Sequence, residues 1–390
     1  MIPPALQKLL AIRQQVTRRE DRVVFIGRTD GQFTGNVKYL FLHFLEHAPD
    51  LNPVYLTQNR DALNLLKSAG LPVRNTLSKE GARLAAEAGT VFVDDFHFKM
   101  QPAGLLVAGA RIIQLWHGVG FKKIGFMEAD SGMDLTPERR EELRQLYSGY
   151  DVVISTSPFY TENLFQTSFQ AKDIWETGYP RNDVFFRKPT KQDFIQAAPE
   201  SYAAVRQLAK TKTIALYVPT FRDGGGNPLS DGACDFFRLD AFLEANDIVI
   251  VLKMHTFSGT LPDLPFKNII AFPSHADVYP LMPLTNFMIT DYSSIYTDYL
   301  VMDKPVLFFP YDWDKYTSQN RELQFDYDWI TPGPKVRSQD EFMVALKLIS
   351  KGGADGYEEK RREIGHLAFA QHDGLASARV LSRLRAELSP

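Results

Sequence analysis

Four short polar clusters each follow an apolar run, and their residue types suit proton transfer and phosphate binding. In the first, WHGVGFKK, His117 follows the run at 111–115 after Trp116, and Lys122 and Lys123 come shortly after it. A histidine can serve as a general base because its ordinary pKa lies near neutrality. The glycines let the backbone approach a ligand, and the lysines add positive charge for an anion. The alternative is a histidine in a turn beside two solvated lysines.

Two further clusters place cationic and hydroxyl side chains after apolar runs. YVPTFRDGGG contains Thr220 and Arg222, and a guanidinium can bind a phosphate through two parallel hydrogen bonds. IVIVLKMHTF contains Lys253 and His255, which strand alternation puts on the same side of the strand end. Both pairs therefore suit contacts with an anionic group. The alternatives are a surface ion pair for Arg222 and a structural role for His255.

The fourth cluster, ITDYSSIYTDYL, joins a predicted strand to a predicted helix. Asp291, Ser293 and Ser294 lie at the junction, and Asp298 lies one helical turn beyond Ser294. The amides and the dipole of a helix N-terminus favour an anion, so the two serines are candidates for holding a phosphate. Serine is also a common N-cap, and that alternative stays open here. Asp298 is a candidate acceptor for a ribose hydroxyl.

Two weaker clusters complete the set. GYPRNDVFF contains Arg181, a candidate for binding an anion or the acceptor, although most such loops are structural. VDDFHF contains Asp94, Asp95 and His97, which could suggest a metal site. No acid-rich partner motif accompanies them, and paired acids often cap helices, so no metal site is predicted.

Alternating strands and helices must position these side chains. The helical patterns include 36–47, 60–69 and 137–147. Strands that alternate with helices indicate an α/β protein with parallel sheets covered on both faces, here in two domains around a cleft. Ligands of such sheets bind beyond the carboxyl ends of the strands, where the polar clusters lie. The predicted strands are Val23–Gly27, Pro53–Thr57, Thr90–Val93, Arg111–Leu115, Val152–Thr156, Ile174–Thr177, Thr213–Tyr217, Ile248–Lys253, Asn268–Phe272, Asn286–Thr290 and Pro305–Phe309.

Composition narrows the class of protein. The chain has 390 residues and a net charge of -3, which excludes a generally basic nucleic-acid binder. Cys234 is the single cysteine, so a disulfide framework is excluded and a reducing cytoplasm is expected. No apolar run approaches the roughly 20 residues that span a bilayer. The segment 1–20 mixes leucines with lysine and arginine, and it is either a peripheral contact with anionic lipid or a first helix packed on the domain.

The motifs together resemble the CDP-glycerol glycerophosphotransferase family, which builds teichoic-acid-like and capsular poly(glycerol phosphate). The matching pieces are WHGVGFKKIG, GYPRND, YVPTFRD, KMH, ITDYSSIYTDY, KPVLFFPYDWDKY, TPGP and HDGLASARV, in the order of the family. The resemblance implies a GT-B fold of two Rossmann-like domains facing a central cleft. The expected parts are a basic helix at 1–20, an acceptor domain at 21–185, a linker at 186–212, a CDP-glycerol domain at 213–350 and helices at 351–390.

The resemblance also implies a reaction and residue roles. A hydroxyl of a lipid-linked or polymeric acceptor attacks the glycerol-bearing phosphorus of CDP-glycerol, and CMP leaves; no further cofactor is expected. His117 is the implied general base and His255 its phosphate-contacting or catalytic partner, while Ser293 and Ser294 hold the pyrophosphate. Chemistry, more than resemblance, adds to the donor site the residues Thr220, Arg222, Lys253, Asp291 and Asp298.

The chain departs from the family pattern beside both histidines. Val119–Gly120 stands where Thr-Pro is usual, and Thr256 stands where Pro is usual. These departures leave CDP-ribitol and UDP-sugars as alternative donors of a GT-B transferase. A non-catalytic nucleotide-binding protein of the same fold is a further alternative, as is a metal-dependent phosphohydrolase, which lacks a convincing ligand set.

Overall fold

The computed structural model describes residues 4–220, 231–254, 265–319, 322–352 and 355–389. The chain divides into two compact units. The first unit comprises Met1–His117, Ile124–Gln196 and Ala370–Pro390. The second comprises Gly118–Lys123 and Ala197–Phe369. Each unit is built around its own parallel sheet.

The described strands of the first unit form a seven-stranded sheet. Its order is β3-β2-β1-β4-β5-β6-β7, and every neighbouring pair is parallel. All residues of β4 are buried, as expected for a central parallel strand covered on both faces. The strands are β1 Arg19–Ile26, β2 Val54–Thr57, β3 Val73–Asn75, β4 Ala88–Val93, β5 Arg111–Gln114, β6 Tyr150–Ser155 and β7 Ala171–Glu176.

The described strands of the second unit form a five-stranded parallel sheet in the order β10-β9-β8-β11-β12. The neighbouring strands β8 and β11 deliver the polar residues after each of them to the same edge of the sheet. The strands are β8 Thr213–Val218, β9 Ile248–Lys253, β10 Ile269–Phe272, β11 Phe287–Thr290 and β12 Val306–Phe308.

Helices flank both sheets. Short 3-10 turns lie at Pro49–Leu51, His97–Met100, Pro180–Phe186, Gln192–Phe194 and Met282–Leu284, and a π-helical turn at Thr161–Phe165. The helices are α1 Pro4–Arg13, α2 Gly35–His47, α3 Arg60–Ser68, α4 Lys79–Glu87, α5 Pro102–Val107, α6 Gly125–Ala129, α7 Pro137–Leu146, α8 Pro158–Tyr160, α9 Gln166–Ser168, α10 Pro199–Leu208, α11 Phe236–Ala245, α12 Ile295–Leu300, α13 Trp313–Gln319, α14 Tyr327–Ile330, α15 Gln339–Ser350, α16 Glu358–Ala368 and α17 Ala376–Leu388.

Aromatic side chains fasten α2 to the first sheet. The ring centre of Phe25 on β1 lies 5.2 Å from that of Phe41 and 5.3 Å from that of Phe44, both on α2. The Phe25 ring also stacks on Phe92 of β4 at 5.1 Å. These contacts pack the middle and the C-terminal half of α2 on β1 and β4.

The predicted α/β architecture with parallel sheets is confirmed, and the predicted strands agree with β1, β2 and β4–β12 to within a few residues. The remaining strand, β3, was not predicted. It has three residues, of which Val73 alone is buried, so it lacks the apolar run by which the others were recognised.

The units differ from the predicted domain boundaries in three places. Gly118–Lys123 belongs to the second unit and the final segment Ala370–Pro390 to the first. The predicted linker 186–212 is divided between the units. Its first part folds onto the first unit because buried Lys38 donates to the carbonyl oxygen of Asp193 at 2.6 Å.

The N-terminal segment packs on the first unit. Helix α1 lies against α4 and α5. Arg18 donates to the carbonyl oxygen of Ala88 at 2.7 Å and to that of Ala108. The structure thus shows a first helix packed on the domain, with the side chains of Lys8 and Arg13 left exposed. Within the described residues, no helix is both long enough and apolar enough to span a membrane.

Candidate functional site

His117 lies just beyond the carboxyl end of β5 and has the protonation state of a base. Its Nδ1 is 3.1 Å from the carbonyl oxygen of Asp94, so Nδ1–H donates there and Nε2 carries the lone pair. Burial lowers the pKa of His117 well below its ordinary value, and the positive charge of Arg28 lowers it further against the opposing charge of Asp95. The imidazole is therefore neutral and can accept a proton at Nε2.

Side chains from three elements hold the backbone that carries His117. Asn36 on α2 donates to the carbonyl oxygen of Trp116 at 2.9 Å. Gln114 accepts from the Trp116 amide at 3.0 Å, and Arg181 donates to the His117 carbonyl oxygen at 2.9 Å. Trp116 has a φ of +55°, a left-handed conformation that is strained for a bulky residue. These hydrogen bonds fix the strained turn and with it the direction of the imidazole.

Arg181, predicted to bind an anion or the acceptor, is only 4% exposed. Its guanidinium lies 4.9 Å from the Tyr179 ring centre while it donates to the His117 carbonyl oxygen. The guanidinium thus supports the backbone of His117.

Asp94 and Asp95 occupy the carboxyl end of β4 and act differently. Asp94 is fully buried and accepts from the Val37 amide at 3.0 Å, which caps the N-terminus of α2. Burial raises the pKa of Asp94 to about 8, against the effect of that amide. Asp95 accepts from His97 Nδ1 at 2.6 Å. Burial acts to raise the pKa of Asp95, but the His97 hydrogen bond and nearby positive charges outweigh it, so that pKa lies below its ordinary value.

Metal binding by these acids was not predicted from the sequence. Among the residues that the structure describes, no three His, Cys, Asp or Glu side chains are arranged to hold a metal ion.

In the second unit, Asp291 ties two strand ends together. Its Oδ1 accepts from the Thr220 amide at 2.9 Å and from the Thr220 hydroxyl at 2.6 Å. The Tyr292 amide donates to the same oxygen at 2.5 Å. Asp291 is fully buried, and its hydrogen bonds fix the backbone after β8 beside the backbone after β11. Thr220 and Asp291, both predicted for the donor site, are thus brought together.

Ser293 and Ser294 precede the short helix α12 and are partly exposed. Ser294 stands at the N-cap position, yet its own side chain makes no capping hydrogen bond. The Thr297 hydroxyl donates to the carbonyl oxygen of Val119 at 2.8 Å. A Cβ on Gly120 would lie 3.0 Å from the Cβ of Ser294, so glycine permits this close approach of the chain. The segment 118–123 therefore runs beside the two serines.

The two predicted lysines of this segment serve to attach it to the second unit. Lys123 forms an ion pair with Glu322, and its amide donates to the Glu322 carbonyl oxygen at 3.0 Å. The ammonium group of Lys122 lies 5.2 Å from the ring centre of Tyr316. The structure thus engages both side chains, which the sequence had suggested for an anion or the acceptor, in contacts within the unit.

The remaining predicted residues divide into described and undescribed ones. Lys253 donates to the carbonyl oxygen of Ser274 at 2.8 Å, and Asp298 is fully buried on α12. The ribose contact of Asp298 stays a prediction. Arg222 and His255 lie outside the described residues.

Asn36, Gln114 and Arg28 were not predicted from the sequence. Both Asn36 and Gln114 are fully buried. Gln114 is a polar residue within the apolar stretch RIIQLW, and that isolation was the available signal, because a buried amide must find hydrogen-bond partners. Asn36, among Thr34, Gly35 and Lys38, gave no such signal. Arg28 follows β1 in the turn GRTDG, which was the signal of a further polar strand end.

Comparisons with known proteins agree with this architecture. The family model described as CDP-Glycerol:Poly(glycerophosphate) glycerophosphotransferase matches residues 8–386. The teichoic acid glycerol-phosphate transferase of Staphylococcus aureus is 30% identical over 277 residues, which are 69% of this chain and 69% of that protein. The teichoic acid poly(glycerol phosphate) polymerase of Bacillus subtilis is 27% identical over 353 residues, 88% of this chain but 45% of that protein.

The fold also matches a solved structure. The wall teichoic acid polymerase TagF aligns with a TM-score of 0.78 and 23% identity, covering 98% of this chain and 93% of that chain. This likeness confirms the predicted GT-B type of α/β fold. Since the family model covers nearly the whole chain, the chain belongs to the CDP-glycerol:poly(glycerophosphate) glycerophosphotransferase family.

Proposed function

We propose that the protein transfers glycerol phosphate from CDP-glycerol to a hydroxyl of a lipid-linked or polymeric acceptor in teichoic-acid-like polymer biosynthesis. The acceptor oxygen forms a bond to the glycerol-bearing phosphorus. The bond between that phosphorus and the bridging oxygen breaks, CMP leaves with the bonding electrons, and the hydroxyl proton passes to Nε2 of His117. Family membership gives the reaction class, and the single observation that supports the base is the neutral His117 with its Nδ1–H fixed on Asp94.

The donor's diphosphate needs positive charge and N–H or O–H donors, because phosphoryl transfer depends mainly on positioning and charge stabilisation. In our proposal Ser293 and Ser294 bind it, at a helix end where the side chain of Ser294 makes no capping hydrogen bond. Thr220 lies at the neighbouring strand end, held by Asp291. Lys253 and the two residues outside the described part of the chain, Arg222 and His255, complete this proposed set.

The donor is tested with the purified protein by measuring CMP release from CDP-glycerol, with CDP-ribitol and a UDP-sugar in parallel. CDP-ribitol is the second candidate, because the poly(ribitol-phosphate) polymerase of Bacillus spizizenii is 27% identical over 94% of this chain. CMP release from CDP-glycerol in the presence of acceptor supports the proposal. UDP release from the UDP-sugar without CMP release from either CDP-alcohol would overturn it.

The base is tested by His117→Ala. We expect turnover to fall at least about 100-fold, the usual scale for loss of a general base, while the Kd for CDP-glycerol stays within a few-fold. Normal turnover would show that another group takes the proton. Loss of CDP-glycerol binding would show that His117 holds the donor instead.

We also propose a peripheral contact of α1 with anionic lipid, supported by the exposed side chains of Lys8 and Arg13 on this helix. Removing residues 1–20 would cut into β1, so a double variant with Glu at both positions is the better probe. We expect it to lose co-sedimentation with vesicles containing anionic lipid. Glutamate at the exposed Lys67 and Lys79 is the matched control, and equal sedimentation of both variants would refute the role of α1.

A further inference from the structure

Three side chains near His117 have no part in the mechanism above. Arg28 follows β1, while Asp95 and His97 follow β4. The strands β1, β4 and β5 are consecutive in the first sheet, so all three side chains emerge at the edge that carries His117. Parallel sheets bind ligands beyond the carboxyl ends of their strands, so these three side chains are candidates for contacts with a ligand.

Asp95 holds His97, and the backbone next to Arg28, from the inside of the unit. Its side chain is 3% exposed, and it accepts from the His97 amide at 2.8 Å, from His97 Nδ1 at 2.6 Å and from the Thr29 amide at 3.2 Å. The His97 side chain is 38% exposed. Because Nδ1–H is directed to Asp95, the other ring nitrogen of His97 is left for a further partner.

Arg28 retains most of its hydrogen-bonding capacity. Its side chain is 37% exposed, and its ionic partner among the described residues is Asp95, at 4.0 Å from Nε. That distance keeps the guanidinium near the carboxylate but exceeds a hydrogen bond. A guanidinium offers five N–H donors in a fork that matches a phosphate. Asp95 already accepts three hydrogen bonds, and its carboxylate has about four lone-pair sites, so most of the five Arg28 donors are left for another partner.

The spacing fits one unit of the polymer. Neighbouring strands lie about 4.8 Å apart, so the ends of β1 and β5 are separated by about 10 Å across the end of β4. In one glycerol unit, three carbons separate the attacking hydroxyl from the phosphate. With that hydroxyl at His117, the length of the Arg28 side chain spans the rest of the distance between the ends of β5 and β1. The positive charge of Arg28 also reaches His117, whose pKa it lowers.

We propose, on the basis of the function proposed above, that Arg28 binds the phosphate of the acceptor's terminal unit, with His97 held by Asp95 as its neighbour. Poly(glycerol phosphate), the acceptor in the description of the family, carries such a phosphate in its units. An anion at this point also compensates Arg28, whose charge would otherwise oppose protonation of His117 as the acceptor hydroxyl is deprotonated.

The test compares two synthetic acceptors that differ only in a terminal glycerol 3-phosphate unit, with CDP-glycerol as donor. We expect the wild type to have the lower KM for the acceptor that carries the terminal glycerol 3-phosphate unit. Arg28→Gln should raise that KM about 10- to 100-fold, the scale of a charge-assisted hydrogen bond. The KM for the neutral acceptor and the KM for CDP-glycerol should stay within about twofold, and Arg28→Lys should recover part of the loss.

Arg74→Gln is the matched control, because Arg74 is a partly exposed arginine of the same sheet that pairs with Glu80 at 2.8 Å. Arg74→Gln should leave the KM for both acceptors unchanged. The proposal would be overturned if Arg28→Gln raised the KM for both acceptors by the same factor. It would also be overturned if the wild type had the same KM for the two acceptors.

Calorimetry with glycerol 3-phosphate alone separates this proposal from the proposed function. If no CDP-alcohol yields CMP, the proposed function fails, yet weaker binding of glycerol 3-phosphate to Arg28→Gln than to wild type still supports the phosphate site. Absent binding, or equal binding by the two proteins, overturns it.

Discussion

Asn36 offers a sharp test of how the fold positions His117. Its Nδ2 donates to the Trp116 carbonyl oxygen at 2.9 Å, and its Oδ1 accepts from the Arg181 amide at 3.2 Å. Asn36 is fully buried, so Asn36→Ala leaves a buried acceptor and a buried donor without their partner. Each unsatisfied group costs about 1–3 kcal/mol, and the free energy of unfolding should fall by about 2–6 kcal/mol.

Activity should fall by more than this loss of stability explains. Without Asn36 the strained Trp116 turn can relax, and a displacement of about 1 Å at a reacting group can cost about 100-fold. We therefore expect kcat for CMP release to fall 10- to 100-fold at a temperature where the variant is fully folded. The KM for CDP-glycerol should change less than twofold, because Asn36 contacts the turn that carries the base.

Asn268→Ala is the control for destabilisation alone. Asn268 is 6% exposed, lies in the second unit and hydrogen-bonds Asp240. It should lower stability and leave kcat within about twofold. If Asn36→Ala lost the expected stability but kept the kcat of the wild type, the link from Asn36 to the base would be refuted.

Two further predictions concern pH. Because burial holds the pKa of His117 well below its ordinary value, kcat/KM should stay constant as pH falls through 6.5, and an acid limb at or above pH 6.5 would contradict this. Because burial raises the pKa of Asp94 to about 8, the native state holds a proton that the unfolded state releases near pH 4. Between these values the stability of the wild type should fall as pH rises, by at most about 1.4 kcal/mol per pH unit. Asp94→Asn should lack this part of the pH dependence in urea unfolding, and identical slopes for the two proteins would refute the assignment.

The strands could be predicted because each central strand is a short apolar run that ends in a polar or glycine-containing turn. β9 was predicted with its observed bounds, Ile248–Lys253, for this reason. The same pattern located His117, Thr220 and Asp291, since each lies within three residues of the end of a strand. Local sequence therefore predicted which residues lie at the sheet edges.

The partners of those residues could not be predicted, because they are distant in the sequence. The ion pair of Lys123 with Glu322 joins positions 199 apart, and Arg181 reaches the His117 carbonyl oxygen over 64 positions. A lysine beside a glycine motif looks available for an anion until its partner is known. The unit boundaries differed for the same reason, since the contacts of Gly118–Lys123 are with residues far along the chain.

The left-handed Trp116 connects strain, burial and the state of the base. Trp116 has a φ of +55°, which glycine would adopt without strain. A strained tryptophan at this position therefore points to a role for its side chain. Its indole ring lies 4.0 Å from the His117 ring and 5.1 Å from Phe169, forming an apolar surface against one face of the imidazole. Burial of this kind is the main cause of the lowered pKa of His117, which keeps Nε2 unprotonated. The strain of Trp116 and the neutrality of the base therefore have one structural origin. The hydrogen bond that Asn36 donates to Trp116 and the one that Gln114 accepts from it maintain this arrangement.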